Sequence, residues 1–125
     1  MEVLASRVLL RPTDLDRSRA FYRDTLKLPI FREFATPDGT GTVFFIGGGY
    51  LEVSGRADAP ATPGIELWLQ VRDVEAASHE LAGVRVLRGP KREPWGLIEM
   101  WIEDPDGVRI CVAEVPDDHP MRRRD

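Results

Sequence analysis

The chain has 125 residues, of which 42% are hydrophobic and 30% are charged, a composition typical of one compact globular domain. Its 17 Lys and Arg against 21 Asp and Glu give a formal net charge of −4, which argues against nucleic acid as a partner. The single cysteine, Cys111, cannot form an intramolecular disulfide, so nothing requires an oxidising compartment. The chain opens without a signal-peptide pattern and has no uninterrupted apolar stretch that could cross a bilayer. We therefore expect a cytoplasmic location and no membrane partner.

The first half of the chain predicts a strand, a helix and a hairpin. Apolar residues at Val8 and Leu10 suggest the first strand. Thr13 and Asp16 have the spacing of a capping box, which predicts that a helix begins here. The apolar positions of this helix recur at helical spacing, at Leu15, Phe21, Tyr22 and Leu26. Segments 42–46 and 50–54 then flank three glycines and predict a hairpin.

The second half follows the same order. Residues 65–71 alternate between apolar and polar side chains, as expected of a strand with one buried face. A helix is predicted to begin near Asp73 and to stop at Gly83. Residues 98–103 alternate again, and the turn sequence Asp104-Pro105-Asp106-Gly107 predicts a hairpin into 108–115. The apolar faces of the two strands are Ile65, Leu67, Leu69 and Val71, and Ile98, Met100 and Ile102.

The two halves correspond at a constant spacing. The two helix starts, Asp14 and Asp73, lie 59 positions apart (73 − 14), and Glu52 and Cys111 keep the same offset. Two copies of one strand, helix and strands unit explain the match. The predicted organisation is a first βαβββ module at 1–59, a linker at 60–64, a second module at 65–115 and a disordered tail at 116–125.

The segment 14–26, DLDRSRAFYRDTL, resembles the D-L-x-R-S-x-x-F-Y-x-x-x-L-G signature of the glyoxalase, bleomycin-resistance and extradiol-dioxygenase superfamily, also called the vicinal oxygen chelate superfamily. Lys27-Leu28-Pro29 stands where the family usually has Gly-Leu. Segments 73–77 and 104–107 resemble the matching parts of the family's second module. The resemblance implies an α+β fold in which two βαβββ modules form curved mixed sheets around a pocket for a small molecule. It also implies a homodimer, because family members usually pair to complete their pockets.

Members of the family that use a metal hold it at four positions, on the first and last strands of each module. Carried over to this chain, the four positions are Arg7, Glu52, Glu66 and Cys111. Arginine offers no lone pair and would repel the ion, and Cys111 suits softer metals than those that oxygen ligands bind. We therefore expect no metal or other cofactor. Arg7 can instead form an ion pair with Glu52 or Glu66, or these residues can contact a ligand directly; Cys111 fits a buried apolar position or a reactive thiol.

Polar and aromatic residues share the other faces of the predicted strands. Next to carboxylates, the two tryptophans suit a planar or cationic organic molecule, although they can equally fill a closed interior or a subunit contact. With the four positions above, the expected ligand-binding residues include Trp68, Gln70, Glu99 and Trp101. Trp95-Gly96 is a candidate rim, and His79 and His119 lie outside the family positions.

Three functions remain open at this stage. The first is a metal-independent small-molecule binding protein, similar to the antibiotic-sequestering, bleomycin-resistance-type members of the family. The second is a metal-dependent lyase, isomerase or dioxygenase acting on a vicinally oxygenated substrate, with Glu52 or Glu66 as base or ligand. The third is a regulatory or interaction module without a substrate. The absence of histidine from the four positions favours the first.

Overall fold

The computed structural model describes residues 1–60 and 64–122 of the chain. Its elements, in chain order, are β1 (Arg7–Leu10), α1 (Leu15–Ala20) continued by a π-helical turn (Phe21–Thr25), β2 (Ile30–Thr36), β3 (Gly39–Ile46), β4 (Gly49–Val53), β5 (Glu66–Val71), α2 (Val74–Glu80), β6 (Arg85–Arg92), β7 (Ile98–Glu103), β8 (Arg109–Glu114) and a 3-10 turn (Pro120–Arg122). The predicted βαβββ order is confirmed in both halves.

The strands form two four-stranded sheets, with orders β1-β4-β3-β2 and β5-β8-β7-β6. In each sheet the first strand of the module pairs in parallel with the last, and the other pairs are antiparallel. The parallel pair arises because the chain crosses over through a helix between the first two strands. The α+β class with two mixed sheets is therefore confirmed.

The chain divides into two compact units. The first unit comprises Met1–Thr62 together with the turn Pro105–Gly107, and the second comprises Pro63–Asp104 and Val108–Asp125. Residues 61–63 of the predicted linker and 123–125 of the predicted tail lie outside the described residues.

The spacing of 59 predicted from the sequence is confirmed by the registers of the two parallel ladders. Arg7 pairs with Tyr50 in the first unit, and Glu66 pairs with Arg109 in the second (66 − 7 and 109 − 50 are both 59). The next outward-facing pairs, Leu9 with Glu52 and Trp68 with Cys111, keep the same correspondence.

In each unit a short helix covers one face of the sheet. In the first unit Tyr22 contacts Phe44 ring to ring, with centroids 6.3 Å apart, and Arg19 Nε donates a 2.9 Å hydrogen bond to Thr42 Oγ1. In the second unit α2 packs on β6, β7 and β8, and its Val74 is 1% exposed. The fully buried side chains on the covered faces include Leu51, Val53, Met100, Ile102 and Ile110.

The start of α1 corrects the sequence-based prediction. The N-cap is Asp14, whose Oδ1 accepts a 3.1 Å hydrogen bond from the Arg17 backbone N–H. Thr13, predicted to cap the helix, instead donates from both its backbone N–H and its hydroxyl to the Asp106 carboxylate. Asp73 caps α2 in the same way as Asp14 caps α1, accepting from Ala76 N–H at 3.0 Å.

The predicted disordered tail, 116–125, is described as far as Arg122. His119 Nε2 lies 2.9 Å from the Trp95 carbonyl oxygen, and the Met121 backbone N–H donates to His119 Nδ1 at 3.1 Å. These two contacts fix the imidazole between the 3-10 turn and the loop before β7, which gives this part of the tail a defined conformation.

Candidate functional site

Each sheet has a second face, turned away from its helix, which we call the open face of that unit. Because side chains alternate along a strand and paired residues share a face, the registers assign residues to it. In the first unit Arg7 pairs with Tyr50 on β4, and Tyr50 pairs with Phe45 on β3. In the second unit the corresponding row is Glu66, Arg109 and Glu103. These rows put basic and aromatic side chains on the first open face and charged side chains on the second.

Glu52 is the centre of an ionic cluster on the first open face. Arg7 Nη1 lies 2.9 Å from Glu52 Oε1, and Arg11 Nη1 lies 3.2 Å from Glu52 Oε2. The Ser54 hydroxyl donates to the same Oε2 at 2.7 Å. Hydrogen bonds from Ser54 and from the two guanidinium groups hold the pKa of the Glu52 carboxyl below its usual value, against the opposing effect of burial. The expected ion pair between Arg7 and Glu52 is confirmed.

Glu66 takes a different partner. Its Oε2 lies 3.4 Å from Arg109 Nε, and the Arg109 guanidinium also lies over the Trp101 ring, 4.8 Å from the centroid. Glu103, in the same row, lies 3.3 Å from Arg85. The carboxylates at this end of the second open face are thus matched with arginines.

Cys111 occupies the position that corresponds to Glu52. It is 1% exposed, and burial, followed by the charge of Glu99 and its hydrogen bond, raises the pKa of the thiol to about 12. The thiol is therefore protonated at neutral pH, which fits the interpretation of Cys111 as a small buried side chain better than that of a nucleophile.

Glu99 lies beneath the loop before β7. Glu99 is 5% exposed, and its Oε2 accepts a 2.8 Å hydrogen bond from Trp95 Nε1. The Trp95 residue is 58% exposed, and its carbonyl is held by His119. A neighbouring carboxylate, Glu93, forms an ion pair with Arg88, whose Nη2 lies 2.5 Å from Glu93 Oε1. The geometry of this contact is not that of a hydrogen bond. Trp95 and His119 thus belong to the structure around Glu99.

The remaining two candidates lie on β5. Trp68 is 45% exposed and lies in one row with Cys111 and Trp101. Gln70 is exposed and pairs with Ala113, the neighbour of Glu99. The second open face therefore brings Trp68 and Trp101 to either side of Cys111, and Gln70 into the row of Glu99.

The residues at the four family positions do not fit a metal ion. In the first unit Arg7 offers no lone pair and neutralises Glu52. In the second unit Glu66 is paired with Arg109 and Cys111 is a protonated thiol. Among the described residues, no three His, Cys, Asp or Glu side chains are grouped so that they could hold a metal ion.

One group of side chains on the first open face was missed at the sequence level. Phe31, Phe45 and Tyr50, which we call the aromatic row, have ring centroids 5.0 to 5.6 Å apart. Phe31 joins the row because the register of β2 shifts between Ile30 and Arg32, and such a bulge turns two consecutive side chains to one face. The hairpin signal had marked Phe45 and Tyr50 as strand residues, but nothing in the sequence located the bulge.

Comparison with solved structures shows that other proteins share this fold. Solved structures that share the fold include TnmS3, an antibiotic binding protein from Streptomyces sp. CB03234, with a TM-score of 0.75, 22% identity, and 92% of this chain and 98% of that chain covered. A lactoylglutathione lyase from Agrobacterium tumefaciens gives a TM-score of 0.68 at 24% identity, with 91% and 95% covered. A superfamily member from Sphaerobacter thermophilus DSM 20745 gives 0.71 at 20% identity, with 90% and 98% covered. At these identities the likeness shows the fold alone.

No curated protein matches the chain. Within the described part of the chain, the helices are all too short or too polar to span a membrane. The model of the Glyoxalase/Bleomycin resistance protein/Dioxygenase superfamily matches residues 5–112. The chain therefore belongs to the glyoxalase/bleomycin resistance protein/dioxygenase superfamily, as its sequence signature predicted.

Proposed function

We propose that this protein binds a small organic molecule without a metal ion, in the manner of the antibiotic-binding members of its superfamily. The observation that carries the proposal is the 2.9 Å contact between Arg7 and Glu52. It puts a permanent cation where the family's metal ligand would be, and it uses the neighbouring carboxylate as that cation's partner.

The electrostatics support a site without metal. A divalent ion bound at Glu52 would have to displace two guanidinium groups and the Ser54 hydroxyl, and it would meet the positive charge of Arg7 at close range. The cluster replaces the charge of the ion with fixed protein charges, so the site is complete without it.

Exposed aromatic side chains support the binding of an organic molecule. Trp68 is 45% exposed, and Phe31 is 47% exposed, although both belong to sheet faces that also hold fully buried residues. Large aromatic groups left open to solvent are enriched at binding sites because they offer apolar area with few rotatable bonds. TnmS3 is an antibiotic binding protein with the same fold, so this architecture suits such a task.

The enzymatic alternative is a lyase, isomerase or dioxygenase that uses Glu52 or Glu66 as base or residual metal ligand. The lowered pKa of Glu52 makes it a weak general base, and Glu66 is paired with Arg109. The lyase from Agrobacterium tumefaciens shares the fold, which hosts many chemistries. The geometry of the two glutamates favours binding over turnover.

Native mass spectrometry combined with elemental analysis tests the proposal. Protein purified without added metal should carry no stoichiometric Fe, Mn, Ni or Zn, and it should retain or take up organic molecules of low mass. Near-stoichiometric metal that disappears in Glu52→Gln or Glu66→Gln, but persists in the exposed control Glu75→Gln, would overturn it in favour of the metal-dependent enzyme.

The assembly is also part of the proposal. We propose a homodimer, because Val8 and Leu9 on the edge strand β1 are 41% and 52% exposed, and an open apolar edge favours pairing. The cytoplasmic location is proposed on a separate ground, that the single cysteine needs no oxidising compartment. Light scattering at micromolar concentration should report about twice the chain mass of 14.1 kDa. A mass of one chain would contradict the dimer while leaving the binding proposal intact.

A further inference from the structure

Both open faces carry aromatic side chains, but the two faces differ in charge. On the second face Glu66, Glu99 and Glu103 each have a partner, in Arg109, Trp95 and Arg85 respectively. The guanidinium groups of Arg109 and Arg85 offset the charge of Glu66 and Glu103, so a cationic ligand would gain little from either carboxylate and would meet a positive charge beside it. The first face offers the opposite charge.

Among the described residues, the registers place Arg7, Arg32 and Glu52 on the first open face. Arg11, which follows β1, joins them through its 3.2 Å contact with Glu52. These three arginines and one glutamate give the face a formal charge of +2. The whole chain has a net charge of −4, so this positive charge is local. It lies on the same face as the aromatic row.

Arg7 directs few of its N–H donors at Glu52. A guanidinium group carries five N–H donors, and within the part of the chain that the structure describes Arg7 directs a single nitrogen, Nη1, at Glu52. Its side chain is 38% exposed. Because Glu52 is shared with Arg11 and Ser54, one carboxylate does not saturate the positive charge around it.

The aromatic row begins beside Arg7. Tyr50 pairs with Arg7 across the parallel ladder, and Phe45 is the next residue in the row. Neighbouring strands lie about 4.8 Å apart, so a ring placed on Tyr50 or Phe45 has its substituents within reach of the Arg7 guanidinium. Phe31 and Phe45 are 47% and 39% exposed, which leaves ring surface for stacking.

We propose that the first open face binds a planar aromatic molecule that carries an acidic group, with its ring against the aromatic row and its acid paired with Arg7. This inference rests on the proposed function and deepens it by fixing the ligand class. The sequence suggested a planar or cationic organic molecule; the inference keeps the planar ring and replaces the cationic alternative with an anionic group, because the carboxylates that suggested a cation already have partners.

Four matched probes test the charge and the shape of the ligand by calorimetry: 2-naphthoate, the neutral 2-naphthamide, the cation 2-naphthylmethylammonium and the non-planar cyclohexanecarboxylate. 2-Naphthoate should bind about tenfold more tightly than each of the others. The amide and the ammonium compound lose the charge-assisted hydrogen bond to Arg7, and cyclohexanecarboxylate loses ring stacking. Amide NMR shifts on adding 2-naphthoate should concentrate in the strands of the first unit, β1 to β4, which carry Arg7 and the aromatic row.

Single variants separate the contribution of Arg7, which pairs with the acid, from that of the aromatic row, which contacts the ring. Arg7→Gln should weaken 2-naphthoate binding about tenfold and leave 2-naphthamide binding unchanged, while Arg7→Lys keeps the charge and most of the affinity. Phe31→Leu, on the edge strand, should weaken 2-naphthoate and 2-naphthamide alike. Arg23→Gln is the control, because Arg23 is 36% exposed and also pairs with one carboxylate, Asp24, but lies outside the sheets.

Equal binding of 2-naphthoate and 2-naphthamide, or shifts concentrated in the second unit, would overturn the inference. So would an Arg7→Gln variant that binds 2-naphthoate normally but loses its dimer in light scattering, since a second copy of the chain would then be the occupant. If the metal-free protein retains other organic molecules but not 2-naphthoate, the inference falls and the proposed function stands. If it takes up no organic molecule, both fall.

Discussion

The two units share one backbone plan but carry different chemistry on their open faces. The row that reads Arg7, Tyr50 and Phe45 in the first unit reads Glu66, Arg109 and Glu103 in the second. The covered faces agree in character, because Leu51 and Ile110, at the same position of the repeat, are both 0% exposed. The comparison shows that burial against the helix fixes the fold, whereas the open face is free to be aromatic and basic in one unit and charge-paired in the other.

The sharpest contrast lies at one pair of equivalent positions, Glu52 and Cys111. The pKa of Glu52 is lowered by its partners, while that of Cys111 is raised from 9.0 to about 12 by burial. Since the thiolate is the reactive form, Cys111 in the folded protein should react with a disulfide reagent at pH 8 on the order of a thousandfold more slowly than in the unfolded chain.

The same shift gives a pH dependence. A folded pKa above the unfolded value means that the contribution of Cys111 to stability is intact below pH 9 and is lost as the pH rises towards about 12. The rate at which a disulfide reagent labels Cys111, measured in buffer and in guanidinium, checks the predicted difference in reactivity. Equal rates in the folded and the unfolded protein would contradict it.

The covered faces provide the next largest effect. Leu51→Ala and Ile110→Ala should each lower the free energy of unfolding by about 2–5 kcal/mol, because each leaves a cavity in a closed core. Leu4→Ala, before β1 at a residue that is 88% exposed, is the control and should cost less than about 1 kcal/mol. Denaturant titration measures all three, and a cost for one core variant similar to that of Leu4→Ala would show that the two covered faces are not equivalent.

A smaller effect is expected at Gly41, on the first open face. A Cβ there would lie 2.6 Å from the Phe34 ring, so Gly41→Ala should lower the free energy of unfolding by about 1–3 kcal/mol through overpacking. Gly48→Ala is the control, since a Cβ at Gly48 meets nothing within 4 Å. Adding Phe34→Ala should recover part of the loss; no recovery would mean that the ring is not the cause.

Much of the fold follows from local signals in the sequence. The turn 104–107 is present as predicted, with Gly107 at φ 83° and Asp104 Oδ1 accepting from the Val108 N–H at 2.9 Å. The alternation of 98–103 and the spacing of 59 also correspond to observed pairings. The turn and the alternation depend on neighbours in the chain, and the spacing comes from a repeat that the sequence itself carries, so all three are visible without the structure.

The edge strands β2 and β6 were not located from the sequence. β6 contains Gly89 and Pro90, which are unfavourable inside a strand, and its pairing with β7 is irregular on both sides of Arg88. An edge strand tolerates such residues because one side of it needs no ladder hydrogen bonds.

The site was predicted in part. The position of Arg7 beside Glu52 followed from the family positions, whereas the burial of Glu99 depends on Trp95 and His119, which lie 4 and 20 residues away (99 − 95 and 119 − 99). The aromatic row depends on a bulge at Phe31. Contacts made by loops and bulges are set by tertiary packing, which no periodicity in the sequence records.

The central claim is that Arg7 substitutes for the metal, and equilibrium dialysis of the wild type beside Arg7→His tests it most directly. With Zn²⁺ or Ni²⁺ at neutral pH, the wild type should bind no ion at the cluster, while Arg7→His should gain measurable affinity, because an imidazole next to Glu52 supplies a donor where a cation stood. The double variant Arg7→His/Glu52→Gln should lose that gain. Stoichiometric binding by the wild type that is abolished by Glu52→Gln would contradict the account.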